Sequence, residues 1–254
     1  MCLVVFGINL TPDLPFVLAA NRDEFHARPA RPMQWWSDQP HILGGRDLQA
    51  GGTWLAINRQ GRFATVTNYR DAVPPNPSLR SRGHLVTDFL SSDMDPLTFL
   101  QSIDGERYAG FNLLVSDSKR VGYLSNRDGP AKLLDDGIFA VSNAVLDTPW
   151  HKVTSSKNHL TALHQEKRLN ETELLRLLAN EERAPAAEVE SGQLGFEMAH
   201  TITAPFIRQP QYGTRCSTVV LRNGDGKVRV LERSFGASGQ RNGDKTQSFQ
   251  LADS

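Results

Sequence analysis

Cysteine is almost absent: Cys2 and Cys216 are the only two in 254 residues. Two cysteines make no disulfide framework, and such sparing use fits a reducing, cytoplasmic setting. No apolar run approaches the ~20 residues that carry a helix across a bilayer, so no membrane span is expected. The apolar start at Cys2-Leu3-Val4-Val5-Phe6-Gly7 has no basic leader and is broken early by Pro12-Asp13, unlike a secretory signal. Neither sign of charge prevails: 28 Lys+Arg balance 28 Asp+Glu, for a net charge of +0. Nothing therefore pulls the whole chain toward nucleic acid or an anionic membrane. His-Glu-x-x-His, Cys-x-x-Cys and Cys-x-x-Cys-His are all missing, so neither a metal centre nor covalent haem is expected. The absence of Gly-x-Ser-x-Gly counts against an ordinary serine hydrolase. Gly44-Gly45-Arg46 and Gly51-Gly52-Thr53-Trp54 fit neither the dinucleotide fingerprint nor the phosphate loop.

The chain does hold a succession of short apolar segments separated by turn residues. Residues 3–9 and 16–20 read as two buried strands around Thr11-Pro12-Asp13-Leu14-Pro15, a hairpin signal. Residues 27–52 have no sustained period and read as an ordered loop. A second hairpin is expected over 53–58 and 62–67, and a proline-rich loop over 71–78. Short helices follow near 84–91 and 96–102, with Asp95-Pro96 as cap and first turn. Strands over 111–116 and 121–125 and a short pair over 132–134 and 138–142 come next. Helices resume near 152–164 and 171–180, and 181–195 reads as an exposed connection. A last hairpin spans 218–222 and 227–233 around Asn223-Gly224-Asp225-Gly226. Without βαβ alternation, this order points to an α+β fold of antiparallel sheets with helices on the outer faces. Residues 1–235 form one domain in this reading, and the polar residues 236–254 a disordered tail.

Cys2 stands directly behind Met1. If Met1 is removed, one residue carries both a thiol and a free α-amine. Their reference pKa values, about 8.5 and about 7.7–8.0, lie near neutrality. A nucleophile activated by its own amine is an established solution to acyl transfer; the plainer reading is a small apolar residue opening a strand. Asn21-Arg22-Asp23-Glu24 follows the second strand, whose end returns beside the start of the first, so this cluster is expected near Cys2. Arg22 with Asp23 or Glu24 could orient the amine and lower the thiol pKa, or form only a loop ion pair. Asn68 and Asn143 each end a strand, as turn formers or as oxyanion donors worth ~3–4 kcal/mol each. Arg215 enters the last hairpin, where it contacts a substrate anion or caps a loop. Trp54 lies among permissive glycines, lining a ligand site or the core.

Met1-Cys2-Leu3, Asn21-Arg22-Asp23-Glu24-Phe25, Arg28-Pro29, Gly51-Gly52-Thr53-Trp54-Leu55, Thr67-Asn68-Tyr69-Arg70, Val141-Ser142-Asn143 and Tyr212-Gly213-Thr214-Arg215 occur in this order. The set resembles the NRDE family, also called the transport and Golgi organisation 2 family, over residues 1–233. That family resembles a branch of the N-terminal nucleophile hydrolases, near the bile salt hydrolase, penicillin V acylase and acid ceramidase group. The resemblance implies an αββα sandwich. It also implies a site of Cys2, the 22–24 segment, Asn68, Asn143 and Arg215, with Asn21, Trp54 and Tyr69 as substrate contacts. The hydrolases separate their early Arg and Asp by two residues, whereas Arg22 and Asp23 are adjacent; Glu24 with Asn21, or Asp23 after a local shift, could fill the carboxylate role. The implied activity is cleavage of a linear, non-peptide amide of acyl type, with no cofactor. The alternative is a non-catalytic protein binding haem or an acyl-type lipid, as eukaryotic members are associated with haem handling and acyl-CoA metabolism.

Overall fold

The computed structural model describes residues 2–71, 76, 78–190 and 192–252. Met1 and most of the proline-rich stretch expected as a loop over 71–78 lie outside the described residues. In chain order the elements are β1 (Cys2–Thr11), β2 (Leu14–Phe25), β3 (Ala30–Trp35), β4 (Leu43–Asp47), β5 (Leu55–Ile57) and β6 (Arg62–Asn68). Two helices follow, α1 (Gly83–Leu90) and α2 (Pro96–Gln101). Next come β7 (Phe111–Asp117), β8 (Val121–Ser125), β9 (Lys132–Leu134) and β10 (Gly137–Val141), then α3 (His151–Gln165), α4 (Glu171–Leu178) and α5 (Phe196–Thr201). The chain closes with β11 (Tyr212–Arg222), β12 (Lys227–Phe235) and β13 (Arg241–Gln250).

The strands form two antiparallel sheets, one ordered β10-β1-β2-β11-β12-β13 and the other β3-β4-β5-β6-β7-β8-β9. Period-two alternation splits each strand between two apolar layers. On the first sheet Val4, Phe6, Phe16 and Leu18 meet Leu43, Leu55, Phe63 and Leu114 of the second. Leu3, Val5, Val17 and Ala19 face the other way, against Val153 and Leu160 of α3 and Leu174 and Leu178 of α4. Ala56, Ala64 and Val66 face Leu85 and Phe89 of α1 and Phe99 of α2. The molecule is an αββα sandwich, as the helices-outside reading required. Each such Val, Leu or Phe contributes ~1.5–3 kcal/mol on burial, which is why residues 3–8 and 16–20 read as unbroken apolar runs rather than alternating ones.

The caps follow the chemistry of their residues. Asp95 accepts from the backbone N–H groups of Leu97 and Thr98 ahead of Pro96, and Asn170 accepts from Glu173 N. Three expectations need correction, and one helix was not anticipated. The 27–52 loop contains β3 and β4, short strands whose pairing slips between Arg31 and Gln34. The expected pair over 132–134 and 138–142 does not pair with itself: β9 joins β8, whereas β10 crosses to β1. α5 lies just past the exposed connection. The polar tail is not disordered over 241–250. It pairs with β12 along its length, Asp244 bridges Arg233 and Arg241, and Phe249 packs edge-on against Trp35.

Candidate active site

β1 and β2 are registered so that Cys2 pairs with Arg22, and the next strand sets Cys216 opposite the same Arg22. Directly opposed residues share a face. Three neighbouring strands therefore carry a row of Cys2, Arg22 and Cys216 toward the space between the sheets. At ~4.8 Å per strand the two cysteines stand about 10 Å apart, beyond disulfide reach, and both are free thiols.

Cys2 is half-buried and tied down by its neighbours on β10. Its backbone N–H donates to Asn143 Oδ1 at 3.2 Å, and Ser142 Oγ donates to its carbonyl at 2.6 Å. Asn143 Nδ2 in turn donates to Asn68 O at 2.7 Å, Arg70 N to Asn143 O at 2.7 Å, and Thr67 Oγ1 to Ser142 O at 2.6 Å. The end of β6 in one sheet is thus stitched to the end of β10 in the other, directly beside Cys2. Both polar ends of the Asn143 amide are engaged, and it turns its oxygen, not an N–H, toward Cys2. That differs from the oxyanion role expected for this residue. Asn68 enters the network through its carbonyl and is otherwise exposed.

The expected cluster over residues 21–24 divides between two faces, because successive strand residues point to opposite sides. Arg22 and Glu24 face the inter-sheet layer. Arg22 is 6 % exposed, its Cζ lies 4.3 Å from the Trp54 ring centroid, and Nη2 is 3.6 Å from Asp47 and 3.8 Å from Glu24. A Cβ at Gly45 would overlap the Trp54 ring, so the glycine is what lets this indole lie flat for the guanidinium. Arg28, at 2.5 Å, holds the other side of Asp47. Burial works to raise Asp47, but the Arg28 bond and the N–H groups of Ala50 and Gln49 outweigh it and keep the carboxyl below the usual range.

Asn21 and Asp23 turn to the helix layer. Asn21 Nδ2 donates to Leu178 O and Pro205 O, both at 2.8 Å, and Oδ1 accepts from Ser217 at 2.6 Å. Its side chain clamps the end of α4 to the sheet, and the residue also lines the small cavity beside Cys2 described below. Asp23 accepts from Thr214 Oγ1 at 2.7 Å. Burial pushes its carboxyl up, with the charge of Lys152 and the Thr214 bond pulling the other way. Of the two candidate carboxylates, Glu24 is thus the one sharing a face with Arg22. Arg215 Nη1 donates to Phe25 O and Arg28 O, fastening the turn after β2. Tyr69 is half-buried, donates its N–H to Gly110 O, and lines neither cavity described below.

Lys152 escaped the sequence reading. It sits in the first turn of α3, 1 % exposed, and Nζ has no hydrogen-bond partner among the described residues. Burial lowers its pKa, while Asp23 and Cys2 act in the opposite direction. Arg82, just before α1, is likewise lowered by burial and interacts with Cys2 and Glu24. The signal for either was faint, one cation in a mixed stretch. Arg82 and Lys152 are thus two largely buried cations that interact with Cys2.

Two cavities flank the Arg22–Trp54 stack, and both residues line each of them. The one beside Cys2 holds about 10 Å³ and is walled by Thr65, Thr67 and Thr218, close to the space of a single water. The other holds about 370 Å³ and has Cys216 and Glu232 in its lining. Among the described residues, no group of three or more His, Cys, Asp or Glu could hold a metal ion, and no helix is long and apolar enough to cross a membrane.

The fold has counterparts among solved structures. A Caenorhabditis elegans N-acylethanolamine-hydrolyzing acid amidase ortholog superposes with a TM-score of 0.54 at 10% identity, covering 87% of this chain and 92% of that one. The C2A mutant of conjugated bile acid hydrolase from Clostridium perfringens superposes at 0.56 and 8% identity, over 99% and 92%. At such identities the likeness is one of fold, that of the N-terminal nucleophile hydrolases. Closer in sequence are the transport and Golgi organization protein 2 homologs of Bos taurus, 36% identical over 277 residues and covering 99% of both chains, and of Homo sapiens, 37% identical over 262 residues, covering 92% of this chain and 93% of that one. The profile described as Transport and Golgi organisation 2 matches residues 1–237, and the chain belongs to that family.

Proposed function

We propose that the protein is an N-terminal cysteine amidohydrolase acting on linear acyl amides, with Cys2 as nucleophile after loss of Met1. The supporting observation is the anchoring of Cys2: its nitrogen is held by Asn143 Oδ1 at 3.2 Å while its thiol shares a face with Arg22. In this reading the free α-amine takes the thiol proton, and the thiolate attacks the amide carbon. The tetrahedral adduct collapses with transfer of that proton to the leaving amine, giving an acyl thioester and the free amine. Water, deprotonated by the α-amine, then releases the carboxylic acid and restores the thiol. Asn143 orients the amine. Arg82 and Lys152 supply positive charge beside Cys2. Two free thiols suit a reducing compartment such as the cytoplasm.

The test joins two measurements: the mass of the purified mature chain, and hydrolysis of N-acyl amides by wild type and Cys2→Ala. Loss of Met1 with activity abolished in Cys2→Ala is expected. Retained Met1, or undiminished activity in Cys2→Ala, overturns the mechanism and leaves the scaffold to a binding role.

A further inference from the structure

The Cys2 chemistry makes no use of the larger cavity. It opens where the edge strand β3 faces β12 and β13, and its lining includes Arg22, Arg215, Trp54, Phe235 and Glu232. Its volume of about 370 Å³ falls within the range of small-molecule sites, ~300–1,000 Å³.

Two guanidinium groups in its wall have donors left over. Arg22 is 94 % buried, yet Nη1 has no hydrogen-bond partner among the described residues, and Nη2 reaches Asp47 and Glu24 only at 3.6 and 3.8 Å. Arg215 spends Nη1 on two carbonyls, but its buried Nε is likewise unpartnered among the described residues. A buried charged donor without a partner is costly, and two in one cavity wall call for a shared acceptor. Neither acid of the lining hydrogen-bonds Arg22 Nη1 or Arg215 Nε. Asp244 is already bridged by Arg233 and Arg241, and Glu232 accepts from Met33 N at 2.6 Å. Arg31 and Lys245 add positive charge to the lining. Trp54 and Phe235 supply apolar surface for the body of a ligand.

We propose that this cavity binds a small organic anion, its carboxylate or phosphate head on Arg22 Nη1 and Arg215 Nε and its apolar body along Trp54 and Phe235. A guanidinium pairs with either head through parallel N–H donors. The proposal does not depend on hydrolysis at Cys2.

The test is calorimetric titration of the full chain at low salt with hexanoate, hexyl phosphate, inorganic phosphate and hexylamine. Hexanoate or hexyl phosphate should bind, one per chain, and hexylamine should not. Whichever of the two binds more tightly names the head, and inorganic phosphate shows whether the body is needed. Arg215→Gln and Arg22→Lys should each weaken binding by about tenfold or more, whereas Cys2→Ala should leave it unchanged. Arg215 is half exposed, so Arg215→Gln serves even where Arg22→Lys fails to fold. Absence of binding by either organic anion, equal binding of hexylamine, indifference to a folded Arg215→Gln, or loss of binding in Cys2→Ala overturns the proposal. Amide hydrolysis assayed on the same preparations separates the two ideas. Activity without anion binding removes this site and keeps the Cys2 mechanism, and the reverse result does the opposite.

Discussion

Cys2 and Cys216 stand one strand either side of Arg22, on one face of one sheet, and differ in almost everything else. Cys2 opens its strand, half-buried, with its nitrogen and carbonyl held by Asn143 and Ser142. Cys216 lies within β11 at 4 % exposure, where burial and the neighbouring Glu232 push its thiol well up. The same side chain beside the same guanidinium is thus given two chemistries by its address. Cys2 keeps partial exposure at its strand start, whereas Cys216 is buried within its strand. Arg22 and Trp54 form the wall between the two settings.

This contrast can be attacked in order of expected effect. Cys2→Ala should lower amide hydrolysis about a thousandfold or more, while Cys216→Ala should keep kcat/KM within about twofold and cost only ~1 kcal/mol of stability, from one lost buried sulfur. Comparable activity losses in the two variants would erase the distinction. Asn143→Ala removes an acceptor from Cys2 N and a donor from Asn68 O. Hydrolysis should slow by about 10- to 100-fold, and urea unfolding should report a loss of about 1–3 kcal/mol. Lys152→Met should slow alkylation of Cys2 several-fold without altering that of Cys216; an unchanged Cys2 rate would strip Lys152 of any electrostatic part. The smallest effect concerns Glu232, whose carboxyl is pushed up chiefly by burial. A carboxyl raised in the folded state lends stability below its ordinary pKa and loses it as pH rises through the raised value. Thermal melts should therefore show wild type losing ground to Glu232→Gln as pH climbs from the ordinary carboxylate range toward neutrality. Parallel pH profiles would contradict this.

The αββα architecture and the neighbourhood of Cys2 were legible because they depend on order and period. Two apolar runs around Pro12-Asp13 dictate a hairpin, and a hairpin returns Arg22 to Cys2. Side-chain direction was equally encoded but harder to use. Read as one cluster, residues 21–24 seemed to converge, although strand alternation sends Asn21 and Asp23 to the helix layer. Elements held by partners rather than by pattern stayed hidden. β3 and β4 are short, rich in Gly, Pro and Arg, and slip in register. β13 lacks apolar alternation and exists because β12 presents an open edge, with Asp244 and Phe249 fastening it. Lys152 could not be found either, since its burial follows from how α3 docks on the sheet.

The central claim is that this sheet carries one reactive thiol and one inert one. It is tested most directly by alkylating the native mature protein with limiting iodoacetamide near neutral pH and mapping the label by mass spectrometry. Label on Cys2 at least about tenfold faster than on Cys216 is the predicted result. Equal rates, or Cys216 reacting first, would contradict it.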